Sequence, residues 1–297
     1  LMKIIQPQLV NVETGILSSN VAEEVLTEYD EFTAYTTGQR VVVLDAYQRV
    51  FEALAPSTGV FPPDAYSGDT LMWLDLGPTN RTGMFDGQAG TETRRANLID
   101  VTVTPPSPVD SLAFFGLTAD QVTITVYSSS DVVLAVRTVG LTLPSTNPLE
   151  GAQRTSDTVI YNLPGEVGMK IRAEISISSG DAVCGLMLPG VAKSLGITQS
   201  GSSVGIIDYS RKETDQFGRP LIVTRRFSKR GSFNLVMRNE VVDSIHRTLA
   251  NYRATPVAWV GTDDLQSTII YGWYRDFDIV IAGPSVSTCT LVVEGLI

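Results

Sequence analysis

Strict alternation of apolar and polar residues is the feature that most limits what this chain can become. In residues 122–127 (VTITVY) and 170–178 (KIRAEISIS) every second side chain is apolar, which is the period of a half-buried strand and not of a helix. Shorter runs of the same kind occur at 98–103, 112–115, 132–136 and 158–161, with Pro, Gly, Ser and Asn clusters between them. That is the pattern of an antiparallel sandwich. Residues 79–197 therefore read as a jelly-roll-like β-sandwich.

One segment breaks the period. From residue 239 the sequence NEVVDSIHRTLANY places Val241, Ile245, Leu249 and Tyr252 at spacings of four, four and three, one stripe of an α-helix. Asn239 is a suitable N-cap, Glu240 follows where the helix dipole favours an anion, and Pro256 ends the helix by about Ala254. The spacing predicts a helix over 240–253 between a basic strand and an apolar one, Val257–Val260. Further strands are expected at 268–271, 277–281 and 288–293. Asn20 followed by Glu23 fits a capping box with Val21, Val25 and Tyr29 on one helical face, and the turn-rich acidic context is equally compatible with extended chain.

With 297 residues and 43% apolar content the chain can bury a large core. Its net charge of −10 argues against nucleic acid as a partner. The charge is uneven: residues 1–100 carry 14 acids and 6 bases, whereas 201–297 carry 10 and 11. Cys184 and Cys289 are too few for a disulfide framework or a four-cysteine zinc site and are expected as buried free thiols. No run reaches the length of a membrane span, and the first residues lack the apolar core of a signal peptide.

Enzyme chemistry has little material. His246 is the only histidine, so a Ser-His-Asp triad or a histidine-rich metal site is not expected. Phosphate-cradling glycine motifs are missing. Asp208 with Asp215, and Asp276 with Asp278, are the conceivable carboxylate pairs, and such pairs are more often solvated. The expectation is a protein without catalytic residues, metal or cofactor.

Residues 30–78 form a compact pattern. Tyr35, the turn at 37–39, Val41, Val43, the run VFEAL at 50–54, a Gly/Pro loop and Trp73 resemble the small carbohydrate-binding modules attached to chitinases and found in phage tail proteins. The sequence departs from that pattern where Phe51 and Glu52 replace the usual second-strand aromatic step. The resemblance implies Tyr35, Tyr47 and Trp73 as glycan-binding candidates, since aromatic faces suit sugar C–H faces. The plainer reading of Tyr35, Phe51 and Trp73 is that they are the core of a small module.

The most basic run follows a polar bridge at 196–209. Arg211, Lys212, Arg219, Arg225, Arg226, Lys229 and Arg230 stand within twenty residues. A solvated face is one reading, and an ionic contact with another protein is the other.

Taken together, WLDLGPTNRTGMFDG (73–87), IIDYSRKETDQFGRP (206–220), the strand–helix–strand segment at 225–260 and YGWYRDFDIVIAGPSVSTCTLVVEGL (271–296) resemble the distal-tail and minor-tail proteins of long-tailed, non-contractile bacteriophages. The resemblance implies a mainly β chain in four parts: an N-terminal strand and linker (1–29), the hairpin module (30–78), the sandwich (79–197), and a tail-tube-like β-sandwich with one flanking helix (198–297). It implies a virion structural protein that forms a ring with copies of itself. Arg211, Lys212, Arg225, Arg226, Lys229 and Arg230 would lie at the subunit interface, and tail-tube and tail-tip hub proteins would be neighbours. The N-terminal modules would contact host cell-surface glycan, if any part does. The other reading is a glycan-binding module protein, free-standing or attached to a carbohydrate-active enzyme.

Overall fold

The computed structural model describes residues 1–44, 48–64, 66–67, 69–143, 153–214, 216–263 and 265–296. It is mainly β, with several sheets and, among the described residues, one α-helix, Asn239–Asn251. The chain divides into two units, Gln8–Pro189 and a second made of Leu1–Pro7 with Gly190–Ile297.

In Gln8–Pro189 the alternating runs become a five-stranded antiparallel sheet in the order Val133–Gly140, Gln121–Tyr127, Lys170–Cys184, Thr93–Val103, Ile16–Ser19. Its inward side chains, among them Ile99, Val101, Val122, Ile124, Ile171 and Ile175, are fully buried. They share one core with Leu112, Phe114 and Ile160 from Ser111–Phe115 and Thr158–Tyr161, which pair with each other. Two layers around one apolar filling make the sandwich. The capping box does not form. Asn20 lies just past the strand Ile16–Ser19, and its amide donates to the Leu98 carbonyl (3.0 Å) and accepts from Asp100 N–H (2.9 Å). The side chain thereby extends the sheet ladder by one step, and residues 22–26 form neither helix nor strand.

The same unit holds the aromatic module, a four-stranded sheet ordered Thr27–Glu28, Arg40–Val43, Arg49–Ala53, Trp73–Pro78. Tyr35, Val41, Val43, Phe51, Ala53, Met72 and Trp73 are its core.

In the other unit the sheet closes on itself. Leu186–Thr198 pairs with Met2–Pro7, which pairs with Val257–Val260, and the order continues through Ile269–Val280, Val286–Gly295 and Phe227–Arg238. That last strand meets Leu186–Thr198 again at Ile197↔Val236 and Thr198↔Leu235. The result is a six-stranded barrel with no free edge around its circumference. Met2, Ile4, Leu195, Phe233, Leu235, Val257, Trp259, Ile270, Leu291 and Val293 fill it.

Residues 1–29, read above as one strand and linker, thus serve three separate sheets. Met2–Pro7 enters the barrel, Ile16–Ser19 the sandwich, and Thr27–Glu28 the module. The boundary expected at 197/198 lies instead within the long strand Leu186–Thr198, whose first residues belong to one unit and the rest to the other. The strands expected at 268–271 and 277–281 are one, Ile269–Val280, because an irregularity between Tyr274 and Asp276 absorbs the break in alternation.

The helix starts at Asn239, one residue early, with Arg238 in the cap position. Asn239 does not cap it. Its Nδ2 donates to Gly283 O (2.9 Å) and its Oδ1 accepts from Ser287 Oγ (2.7 Å), so the side chain ties the helix start to the 283–287 turn. Ile245, Leu249 and Tyr252 are buried as expected, but Val241 is 41% exposed, and Val242 packs against the core in its place. Positions 241 and 242 straddle the drifting 3.6-residue stripe, and the barrel takes the second. At the other end Tyr252 Oη donates to Gln6 Oε1 (2.5 Å).

Strand crowding in the barrel is relieved by glycine. A Cβ at Gly272 would sit 2.0 Å from Glu294 O. Gly272→Ala is expected to cost about 1–3 kcal/mol through overpacking, read as a lower urea midpoint at unchanged slope. An unchanged midpoint would mean that these two strands slide apart freely.

Candidate interaction surface

Outside the barrel lies one more strand. Ser203–Asp208 pairs only with the first half of Phe227–Arg238 and forms the outer edge of that sheet. From it the chain runs into a ribbon of two strands, Arg211–Thr214 and Pro220–Val223, whose eight residues are all exposed. Residues 203–230 together form an arm. The register sets Arg211, Glu213, Leu221 and Val223 on one face and Lys212, Thr214, Pro220 and Ile222 on the other. Either face therefore has one polar strand and one apolar strand.

The apolar strand has no cover. Ile222 is 64% exposed, Ile206 60%, and Phe217 at the ribbon's tip 76%. An unpaired strand edge carrying exposed aliphatic side chains is a template for another chain.

Cations on the arm fall into two sets. Arg211 pairs with Glu213 (2.6 Å), Lys212 with Asp208 (2.7 Å), and Lys229 donates to the Ile269 carbonyl (3.3 Å). The Lys212 ammonium, with the Ser210 hydroxyl and N–H, holds the Asp208 carboxyl well below the usual carboxylate range. Arg225, Arg226 and Arg230 make no ion pair among the described residues, although all three are exposed. Of the six basic residues assigned to a subunit interface, three are satisfied within the chain. Asp276 and Asp278, on Ile269–Val280, are also exposed without an ion pair among the described residues. The sequence reading gave the arm's charges their due and missed its apolar members. The available signal was the run PLIV at 220–223, four apolar residues with no polar alternation.

The glycan candidates come out differently. Tyr35 is 5% exposed and accepts from Asp30 N–H (2.8 Å), and Trp73 is 1% exposed with its Nε1 donating to Val60 O (2.9 Å). Their rings meet edge to face at 5.3 Å, and Tyr29 stacks on Tyr35 at 5.6 Å. Neither Tyr35 nor Trp73 offers a face to a sugar, because a module this small needs its largest rings as core. Tyr47 lies outside the described residues. A groove of about 200 Å³ beside the module is lined by Glu23, Glu24 and Glu28 with Leu26, Val42 and Leu44. Two of those carboxylates are already engaged, Glu23 with Arg81 and Glu24 with Asn80 N–H.

His246 is exposed on the helix and lies edge to face against Phe277 at 5.7 Å. Among the described residues no group of three or more His, Cys, Asp or Glu is placed to hold a metal. Cys184 and Cys289 are buried, and burial pushes both thiols up, Cys289 to about 11 with Asp278 adding to the effect. Asp215 lies outside the described residues, so the pair it was read to form with Asp208 is not described. No family model and no curated protein sequence matches this chain.

Proposed function

We propose that this chain is a self-assembling structural protein, and that copies of it join through the arm at 203–230. The resemblance to the tail-tip ring proteins of long-tailed, non-contractile bacteriophages gives that assembly its setting. In that setting the ring links the tail tube to the host-recognition apparatus.

The observation that carries the reading is the arm, whose strand Pro220–Val223 leaves all four side chains exposed and whose Arg225, Arg226 and Arg230 make no ion pair among the described residues. Full burial of a Leu, Ile or Val side chain stabilises by about 1.5–3 kcal/mol, so an arm docked on a second copy gains from Leu221, Ile222 and Val223 before any charge is counted. The three arginines then select the register, since Arg forks onto carboxylates and a neighbouring copy presents Asp276 and Asp278. Each rim-exposed pair of this kind contributes up to about 1 kcal/mol, so the three together add to affinity as well as fixing register. The burial of Tyr35 and Trp73 removes the chief motive for the glycan-binding alternative.

Native mass spectrometry of the full chain is expected to show a closed oligomer. In Arg225→Ser/Arg226→Ser/Arg230→Ser the oligomer is expected to weaken by at least tenfold while the circular dichroism stays that of the parent. Raising salt from 0.1 M is expected to reproduce part of the loss, because exposed charges are screened over about 10 Å there. A parent that stays monomeric at high concentration, or a triple variant that assembles equally well, would overturn the proposal.

A further inference from the structure

In the loop that follows the short 3-10 helix Gly83–Phe85, three oxygens crowd around one hydroxyl. Thr91 Oγ1 lies 2.9 Å from Asp86 Oδ1, 3.0 Å from Gln88 O and 3.3 Å from Gly83 O. A hydroxyl has one proton to donate, so at most one of these three oxygens receives it fully. Asp86 Oδ1 also accepts from Gln88 N–H (2.8 Å). Its other oxygen, Oδ2, is buried with no hydrogen-bond partner among the described residues, and Asp86 as a whole is 5% exposed. A buried carboxylate oxygen without a partner is costly. Gly87 and Gly90 adopt positive φ (71° and 104°), which lets the loop fold back and bring carbonyls and carboxylate to one spot.

From this crowding of oxygens we infer that the 83–91 loop is a site for a hard, oxygen-seeking cation, Ca²⁺, held by Asp86, Thr91 and the carbonyls of Gly83 and Gln88. Oxygens about 2.4 Å from a shared Ca²⁺ stand about 3 Å from one another, the spacing found around Thr91. Mg²⁺ keeps its waters and demands an octahedron, which a set of carbonyls, one hydroxyl and one carboxylate serves poorly. The Arg49 guanidinium is committed to Asp75, with contacts of 2.5 and 3.2 Å. Among the described residues no side-chain cation forms an ion pair with Asp86. Gln88, Ala89 and Gly90 are exposed and give the ion a way in. With a single carboxylate the affinity belongs to the weak class, about 10⁻⁴–10⁻³ M.

The test uses the full chain stripped with EGTA and dialysed. Calcium titrated by calorimetry is expected to bind with one site per chain, and 10 mM Ca²⁺ is expected to raise the melting temperature by roughly 3–10 °C. Mg²⁺ at equal ionic strength is expected to give less than half that shift. Asp86→Asn removes the charge and supplies an N–H to the loop, so it should lose the shift. Thr91→Val keeps the shape and removes only the hydroxyl, and should weaken binding about tenfold even if Asp86→Asn fails to fold. Absence of both heat and shift in the parent would overturn the inference, as would an equal response to Mg²⁺ or an undiminished Ca²⁺ response in Thr91→Val. None of these outcomes depends on whether the chain assembles.

Discussion

Trp259→Ala is expected to lower the stability of the barrel by about 3–5 kcal/mol, the range for deleting a large buried aromatic ring. Trp259 is fully buried at the centre of Val257–Val260, between Met2–Pro7 and Ile269–Val280. Its ring meets Tyr274 edge to face at 6.1 Å, and its Nε1 donates to Gly272 O (2.9 Å). The alanine loses the ring's burial and the bond together, and barrel strands fixed at both edges cannot collapse into the space. Trp259→Phe is the milder change, since it keeps a six-membered ring in the site and removes the N–H together with the five-membered ring that carries it. It is expected to cost about 1–3 kcal/mol, the desolvation cost of a buried carbonyl deprived of its donor. Urea denaturation followed by tryptophan-independent circular dichroism reads both. An alanine variant within 1 kcal/mol of the parent would show that the barrel is loosely packed there.

Leu249→Ala is expected to cost about 2–5 kcal/mol. Leu249 is 1% exposed and is the middle member of the helix face that lies against the barrel core. Isolated helices of this length are marginal in water, so the 13-residue helix owes its existence to that packing. Loosening it also loosens the Asn239 anchor on the 283–287 turn and the Tyr252–Gln6 bond at its two ends. Assembly is therefore expected to fail in this variant before folding does, with native mass spectrometry showing folded monomer. A melting curve matching the parent's would place the side chain outside the core.

The parts of this fold that were legible in the sequence are those governed by local period. The strands Gln121–Tyr127 and Lys170–Cys184 and the helix stripe at Ile245 and Leu249 follow from alternation and 3.6-residue spacing alone. What local period does not carry is which strand edges meet. The closure of Phe227–Arg238 on Leu186–Thr198 rests on two residue pairs nearly forty positions apart, and nothing in either strand's own pattern announces it. Polar side chains failed for a related reason. Asn20 and Asn239 have the chemistry of helix caps, and each instead found distant carbonyls that needed a donor. Tyr35, Phe51 and Trp73 share one core in the module, but only packing distinguishes a ring that fills a core from one that faces a ligand. In the arm, basic residues were conspicuous, and their division into paired and unpaired sets depended on Glu213 and Asp208 lying within reach. The crowded oxygens around Thr91 include two backbone carbonyls, whose positions no residue type encodes.

Met2–Pro7 closes a seam whose other side is Val257–Val260, and the Lys3–Asp263 ion pair beside it spans 260 positions. On a ribosome adding about 5–20 residues per second, the first strand waits roughly 13–50 s before its second neighbour exists. Throughout that interval Met2, Ile4 and Ile5, all fully buried in the finished barrel, are without their final cover. The intervening unit, Gln8–Pro189, contains every strand of its own five-stranded sheet and has no such delay. Synthesis thus imposes a timetable in which the inserted unit can mature while the unit whose two segments flank it in sequence is still waiting for its last strands.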